Sequence, residues 1–239
     1  IARAAPPRDF YAAVTSAASL GVRLIAEIKK ASPSAGLIVP DFDPVAIART
    51  YSAHGAAALS VLTDETYFQG RLEFIELVKR AVPLPVLRKD FIIDEYQLYE
   101  SRAAGADAVL LIVAALTVEP IAGMLSVARR LGMATLIEVH TSEELTSLVN
   151  TVGYPGPTGY LLGINNRDLR AQQTDLTTTT RLAAMLPAGT PFVSESGIAL
   201  RKDVLTVQRA GASAILVGEA LLKADDIGRQ IDSLLGRTS

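Results

Sequence analysis

Eight apolar runs, each followed by a stretch with helical spacing, recur along this chain and restrict the folds open to it. The runs are Val22 to Ile28, Ala56 to Leu62, Pro85 to Asp90, Ala106 to Val113, Ala134 to Val139, Tyr160 to Asn165, Pro191 to Glu195 and Ala212 to Val217. Most are near-continuous in Val, Ile, Leu and Ala, the composition of strands covered on both faces, as in parallel sheets. Helices are expected between them, from Asp43-Pro44 to about His54 and over Leu72–Arg80, Asp94–Ala104, Glu119–Leu131, Ser142–Asn150, Thr177–Leu186, Arg201–Ala210 and Ala224–Leu235. Asp43 supplies a cap and Pro44 a pre-set first turn. Gly105, Gly132 and Gly211 close their helices, the first and last within a repeated Ala-Gly-Ala. Eight β/α repeats in a chain of 239 residues match an α/β fold of the (β/α)8 barrel type. A doubly wound open sheet is the alternative, but it usually has fewer strands. No linker or low-complexity run divides the chain, so residues 1–239 read as a single barrel domain. Residues 1–20 read as an N-terminal extension only partly present. Within it, Ile1 to Pro7 looks like the tail of a helix or linker, and Asp9 to Ala18 like a helix leading into the first strand.

Composition removes several function classes. A net charge of −2 gives no basic field for nucleic acid or an anionic membrane. The longest apolar run, Ala108 to Leu116, is far short of the ~20 residues a membrane helix needs. There is no Cys, which rules out disulfides, thiolate metal sites and a thiol nucleophile, and fits a reducing cytoplasm. His54 and His140 are the only histidines, and neither belongs to a cluster with metal-ligand spacing. His54 is expected near a helix end, and His140 as a surface residue at the rim.

The chemistry is concentrated where strands end. Residues two apart share a strand face, so Glu27 and Lys29 point to one side. Charged or polar groups also close the third strand (Lys89), the fifth (Glu138), the sixth (Asn165, then Arg167) and the seventh (Glu195, Ser196). One such residue alone could be a structural salt bridge. Three carboxylates and two lysines at one barrel mouth are harder to explain that way, because buried like charges need opposite partners or a ligand. A lysine there has its pKa lowered by desolvation or held up by carboxylates; either way it can donate a proton to a carbonyl or hydroxyl oxygen. Glu138 is the best-placed general base, Arg167 offers a fork for a carboxylate, and Asn165 can orient a hydroxyl. Ser32, Gly197 and Gly218 mark turns whose N–H groups could hold a phosphate, and Gly218-Glu219-Ala220-Leu221 reads as a turn into a short helix. Tyr67 and Phe68, beside Gly70, are read as an aromatic wall.

Several segments together resemble the indole-3-glycerol phosphate synthase family. They are Ile25 to Ser34 (with Lys-x-x-Ser-Pro-Ser), Ser60 to Asp64 with Tyr67 to Gly70, Leu87 to Ile92 (Arg-Lys-Asp-Phe), Leu136 to Val139, Gly163 to Leu169 (Asn-x-Arg-Asp-Leu) and Ser194 to Ile198. The resemblance runs from about Arg8 nearly to the end. It implies closure of the indole ring of 1-(2-carboxyphenylamino)-1-deoxyribulose 5-phosphate, with loss of carbon dioxide and water and no metal or organic cofactor. By resemblance, Lys89 is the general acid on the ribulose carbonyl oxygen. Glu138 is the base in the later dehydration, and Glu27 supports proton traffic. Lys29 pairs with the substrate carboxylate, Asn165 holds the hydroxyl network, and Arg167 lies near the anthranilate carboxylate. Glu195 and Ser196 complete a polar wall, Phe68 lines the site, and Ser32, Gly197, Gly218 and Glu219 place the phosphate. The resemblance also implies a cytoplasmic enzyme of tryptophan biosynthesis acting on a small phosphorylated substrate, as a monomer that can associate with other enzymes of the pathway. Competing readings are a phosphoribosylanthranilate isomerase-like barrel and a non-catalytic barrel scaffold. The first needs a Cys/Asp or Asp/Asp pair at strand ends, which is not evident. In the second, Lys89 and Glu138 would be the first residues lost.

Overall fold

Each of the eight apolar runs forms a strand, and the strands close on themselves. The structure, a computed structural model, describes residues 5–16, 21–116, 118–168 and 173–237. Ile1 to Ala4, the expected helical residues Ala17-Ala18 and the motif residue Leu169 lie outside them. The strands are β1 (Arg23–Ile28), β2 (Ala31–Ser32), β3 (Gly36–Leu37), β4 (Ala58–Leu62), β5 (Val86–Lys89), β6 (Ala108–Ile112), β7 (Ala134–Val139), β8 (Leu161–Asn165), β9 (Phe192–Glu195) and β10 (Ala214–Val217). Omitting the small β2–β3 hairpin, they form a closed barrel in the order β1-β10-β9-β8-β7-β6-β5-β4. All its pairings are parallel, and Ile25 meets Ala58 on one side and Leu216 on the other. That closure excludes the open-sheet alternative.

Helices α2 (Pro44–Ala53), α4 (Glu73–Ala81), α5 (Glu95–Ala103), α6 (Val118–Arg130), α7 (Ser142–Val152), α8 (Thr177–Ala183), α9 (Arg201–Arg209) and α11 (Ile227–Leu235) connect successive barrel strands or follow the last. The cap expected at Asp43 is present: its carboxylate accepts the N–H groups of Val45 and Ala46. Gly105 and Gly211 end their helices at φ +92° and +97°, the left-handed region in which a Cβ is strained. Three short elements were not expected: the hairpin, α3 (Glu65–Phe68), and a 3-10 turn at Val113–Ala115. They are too short to carry a periodic signal. A fourth, α10 (Glu219–Leu222), is the short helix expected after Gly218. The last helix starts at Ile227 rather than Ala224, because Asp226 caps it by accepting the Arg229 N–H.

Alternation divides each strand between two cores. Outward residues such as Leu24, Val61, Val109, Ile137 and Ile215 pack under the helices. Inward residues, among them Ile25, Leu87, Leu110, Leu136, Val193 and Leu216, fill the barrel. Helix α1 (Phe10–Thr15) inserts Phe10 and Val14 into that inner core from the amino ends of the strands. Beside it, the wholly buried carboxylate of Asp107 accepts the Arg8 N–H, the Lys79 ammonium and the Val86 N–H. The Arg8 guanidinium donates to three carbonyls, those of Val82, Leu84 and Lys79.

Candidate active site

The inner face of each strand changes character near its carboxyl end. Ile25 is followed two residues later by Glu27, Leu87 by Lys89, Leu136 by Glu138, and Val193 by Glu195. Two-residue periodicity therefore places the ionisable groups directly above the apolar filling. They floor a cavity of about 700 Å³ at this end of the barrel. All thirteen residues expected in the site line it: Glu27, Lys29, Ser32, Phe68, Lys89, Glu138, Asn165, Arg167, Glu195, Ser196, Gly197, Gly218 and Glu219.

Lys89 stands between two carboxylates, its Nζ 3.0 Å from Glu138 Oε2 and 3.6 Å from Glu195 Oε2. Burial works to lower the lysine pKa, but Glu138, Glu195 and Glu27 outweigh it and hold the group above its ordinary value. The tertiary structure thus decides between the two directions open from sequence. Burial also opposes ionisation of Glu138, yet Lys89 first, and His140 and Asn165 beside it, keep it below the usual carboxylate range. Glu195 is pushed the other way, up to about 8, first by burial and then by the charge of Glu138. Its Oε1 has no hydrogen-bond partner among the described residues. Two nearby carboxyls held at opposite ends of their range can act as base and acid in one site. Just past the end of β1, Lys29 pairs with Glu27 of that strand at 2.7 Å.

Two glycines make this crowding possible. A Cβ on Gly163 would lie 2.3 Å from Glu195 Oε1, and one on Gly218 would lie 2.5 Å from Glu27 Oε1. Gly218 was expected for its backbone; the geometry adds that Glu27 occupies the space a side chain would need.

The supporting residues are less visible in sequence. Arg88, on the outer face of β5 and nearly buried, donates to Thr63, Asp90, Glu100 and Ser101. It fixes the strand end from which Lys89 projects inward. Asn166 donates from Nδ2 to Ser194 Oγ and to the carbonyls of Glu195 and Ser196, and accepts at Oδ1 from the N–H and hydroxyl of Thr179. It thereby pins a turn in which Ser196 (φ +65°) and Gly197 (φ +74°) are both left-handed. For Ser196 that conformation carries a strain cost of order 1–3 kcal/mol. A polar pair such as Asn165-Asn166 at a strand end was the available signal for this support.

At the rim, Arg167 reaches across the mouth, its Nη1 donating to Ser34 Oγ (3.2 Å) and its Nη2 lying 3.8 Å from Glu219 Oε2. Glu219 in turn pairs with Lys223. Ser32 Oγ accepts the Ala35 N–H and shapes the first loop. Tyr67, Phe68 and Phe91 face the cavity from the second and third loops. His54 does lie at a helix end, where it caps α2. His140 departs from expectation: its side chain is only 8% exposed. Its ring sits between two carboxylates, Nε2 at 3.2 Å from Glu138 Oε1 and Nδ1 at 3.5 Å from Glu144 Oε2. The strand continues its inward alternation one step past β7 and carries the ring in with it. The signal available in sequence was Glu144, four residues after His140 on the first turn of α7.

Comparison with known proteins agrees with this geometry. The sequence model of the family described as "Indole-3-glycerol phosphate synthase" matches residues 1–234. The indole-3-glycerol phosphate synthase of Roseiflexus castenholzii is 51% identical over 242 residues, which cover 98% of this chain and 87% of that protein. That of Pelodictyon phaeoclathratiforme is 48% identical over 225 residues, covering 94% and 85%. Among solved structures, a 3-hexulose-6-phosphate synthase superposes with a TM-score of 0.67 at 17% identity, covering 91% of this chain and all of that one. A chain of the tryptophan synthase α2β2 complex of Pyrococcus furiosus gives 0.62 at 15% identity, covering 90% and 97%. The structural likenesses show the barrel fold, and the sequence matches show the family: the chain belongs to the indole-3-glycerol phosphate synthases.

Proposed function

We propose that this protein closes the indole ring of 1-(2-carboxyphenylamino)-1-deoxyribulose 5-phosphate, releasing carbon dioxide and water to form indole-3-glycerol phosphate in tryptophan biosynthesis. The observation that carries this reading is the Glu138–Lys89–Glu195 row on the cavity floor, beneath a cationic rim. When the aryl carbon attacks the ribulose carbonyl, negative charge develops on that oxygen. The Lys89 ammonium, kept protonated by its carboxylate neighbours, is the acid that meets it. Loss of the carboxylate as carbon dioxide returns its electron pair to the ring. Departure of the new hydroxyl as water then needs a proton on that oxygen and a base for a proton of the neighbouring methylene carbon, the N–H being kept in the indole. Ionised Glu138 is the base, Glu195 is a neutral carboxyl close to Lys89, and Asn165 orients the hydroxyl.

Lys29 and Arg167 supply the cations for the substrate's anionic groups, with Glu27 holding Lys29 in place. Ser32, Gly197, Gly218 and Glu219 lie on the loops that would seat the phosphate, and Ser196 closes the polar wall. Phe68 and its aromatic neighbours suit the anthranilate ring. Phosphate binding far from the reacting carbon supplies orientation energy. The chain is read as one catalytic domain, acting in the cytoplasm as a monomer that can associate with other enzymes of the pathway. The net charge is −2, and no described helix is long and apolar enough to cross a membrane.

The test is indole fluorescence on mixing the purified protein with the substrate. A rise for the wild type and none for Lys89→Ala supports both reaction and acid. A rise in both keeps the reaction and removes Lys89 as the acid.

A further inference from the structure

Glu138 uses its two oxygens in opposite directions. Oε2 faces Lys89 inside the barrel, while Oε1 faces His140 Nε2 at 3.2 Å. Behind His140 stands Glu144, whose Oε2 is 3.5 Å from Nδ1 and accepts the His140 backbone N–H at 2.6 Å. Thr141, which caps α7, accepts the Glu144 N–H and holds that residue in the first turn. We propose that His140 is a positioning residue, a buried imidazolium anchored by Glu144 that keeps Glu138 aimed and ionised for proton removal. The inference rests on the reading of Glu138 as the general base.

Electrostatics favours this state. Neither ring nitrogen has a hydrogen-bond partner among the described residues, so the two carboxylates act on the ring through charge at ion-pair distance. A positive charge on the ring is stabilised by both, and a neutral ring would leave both carboxylates without it. The charges in the mouth point the same way. Glu27, Glu138 and Glu195 face Lys29 and Lys89, so three carboxyl groups share two ammonium groups, and both Glu138 and Glu195 lie beside Lys89. A third cation beside Glu138 settles which of that coupled pair ionises.

The groups facing His140 are Glu138 on its own strand and Glu144 on α7. Beyond Glu138 stand Lys89 on β5, Asn165 on β8 and Glu195 on β9, while Arg181 on α8 donates to Ser142 at the start of α7. Burial works to lower the histidine pKa, but the two carboxylates raise it to about 9.

The experiment combines steady-state kinetics with ring-nitrogen NMR on the wild type, His140→Gln and Glu144→Gln. Wild-type turnover is measured first. In His140→Gln, kcat should fall roughly tenfold to hundredfold, part of the contribution of a general base, with KM nearly unchanged. Loss of the cation raises the Glu138 pKa, so the acid limb of the kcat profile should move to higher pH by about one unit or more. Glu144→Gln should shift it in the same direction by less. Because the chain has two histidines, the 15N signals missing from His140→Gln identify this ring. They should show an imidazolium at pH 7.5. A merely structural histidine would lower stability without moving the acid limb. A neutral ring at pH 7.5, or an acid limb that stays put while the wild type turns over, overturns this inference alone. A wild type with no turnover removes the role of Glu138, and with it both readings.

Discussion

The two ends of the barrel hold buried charge in different ways. At the amino ends of the strands, Asp107 is buried completely and its carboxylate accepts from an ammonium and two backbone N–H groups. The Arg8 guanidinium donates to three carbonyls, and Phe10 and Val14 fill the inner core at the same end. At the carboxyl ends, two carboxylates share one lysine, a carboxylate oxygen lacks a hydrogen bond, and a serine sits in left-handed backbone. The first arrangement satisfies its groups, so removing one leaves a buried partner exposed to a large desolvation penalty. The second keeps its groups partly unsatisfied, and that leaves them able to act on a bound molecule. Stability and chemistry are therefore separated along the barrel axis.

Substitutions at the two ends should consequently fail differently. Lys89→Met should lower turnover by at least about 10³-fold while the urea transition remains cooperative. Turnover that falls only as far as the folded fraction would erase the contrast. Asp107→Ala should cost about 3–5 kcal/mol of unfolding free energy by strandings of the kind that break buried ion pairs. Its kcat and KM at low temperature, per folded molecule, should match the wild type; a changed kcat would mean that the two ends are coupled. Phe10→Ala should behave likewise, losing about 3 kcal/mol through the cavity it leaves in the inner core.

The pH dependence sharpens the comparison further. His140 has a folded pKa of about 9 against an ordinary 6.5, so its contribution is complete below pH 6.5 and is lost as pH rises through 9. Glu195, raised from 4.5 to about 8, binds its proton more tightly when folded, and stability again declines as pH rises across that window. Urea midpoints should fall between pH 6.5 and 9 by the equivalent of about 1–3 kcal/mol. His140→Gln and Glu195→Gln should each flatten that slope, whereas Asp107→Ala should lower the whole curve without flattening it. The smallest effect is expected from Gly163→Ala. Its methyl group would displace the Glu195 carboxylate, reducing kcat by roughly tenfold, about 1.4 kcal/mol of barrel-mouth geometry. An unchanged kcat would show that Glu195 can move without consequence.

Much of this was legible because strand periodicity is a local property. Inward and outward residues alternate, so Ile25 with Glu27 and Leu136 with Glu138 already placed charge above apolar filling on each strand. The family motifs, read together, pointed to the same mouth. The hairpin after β1 and the short α3 were missed, since two to four residues carry no period. His140 was placed at the surface because its one sequence mark, Glu144 four residues on, gains meaning only once α7 is seen to turn that carboxylate toward the ring. Arg88 and Asn166 were not assigned supporting roles, because their partners, Thr63, Glu100, Ser194 and Thr179, come from other elements.

The sequence alone determined which residues share a strand face, where each strand ends in charge, and where glycine ends a helix. These follow from steric preference and from the two-residue period of an extended chain. Only the closed barrel decided that Lys89 is held protonated, that Glu138 and Glu195 are driven apart in acidity, and that Gly163 and Gly218 yield space to carboxylates. Those outcomes depend on distances between strands far apart in the chain. Coulombic and desolvation energies of buried groups change steeply over a few ångströms, so no order of residues settles them before the barrel has closed.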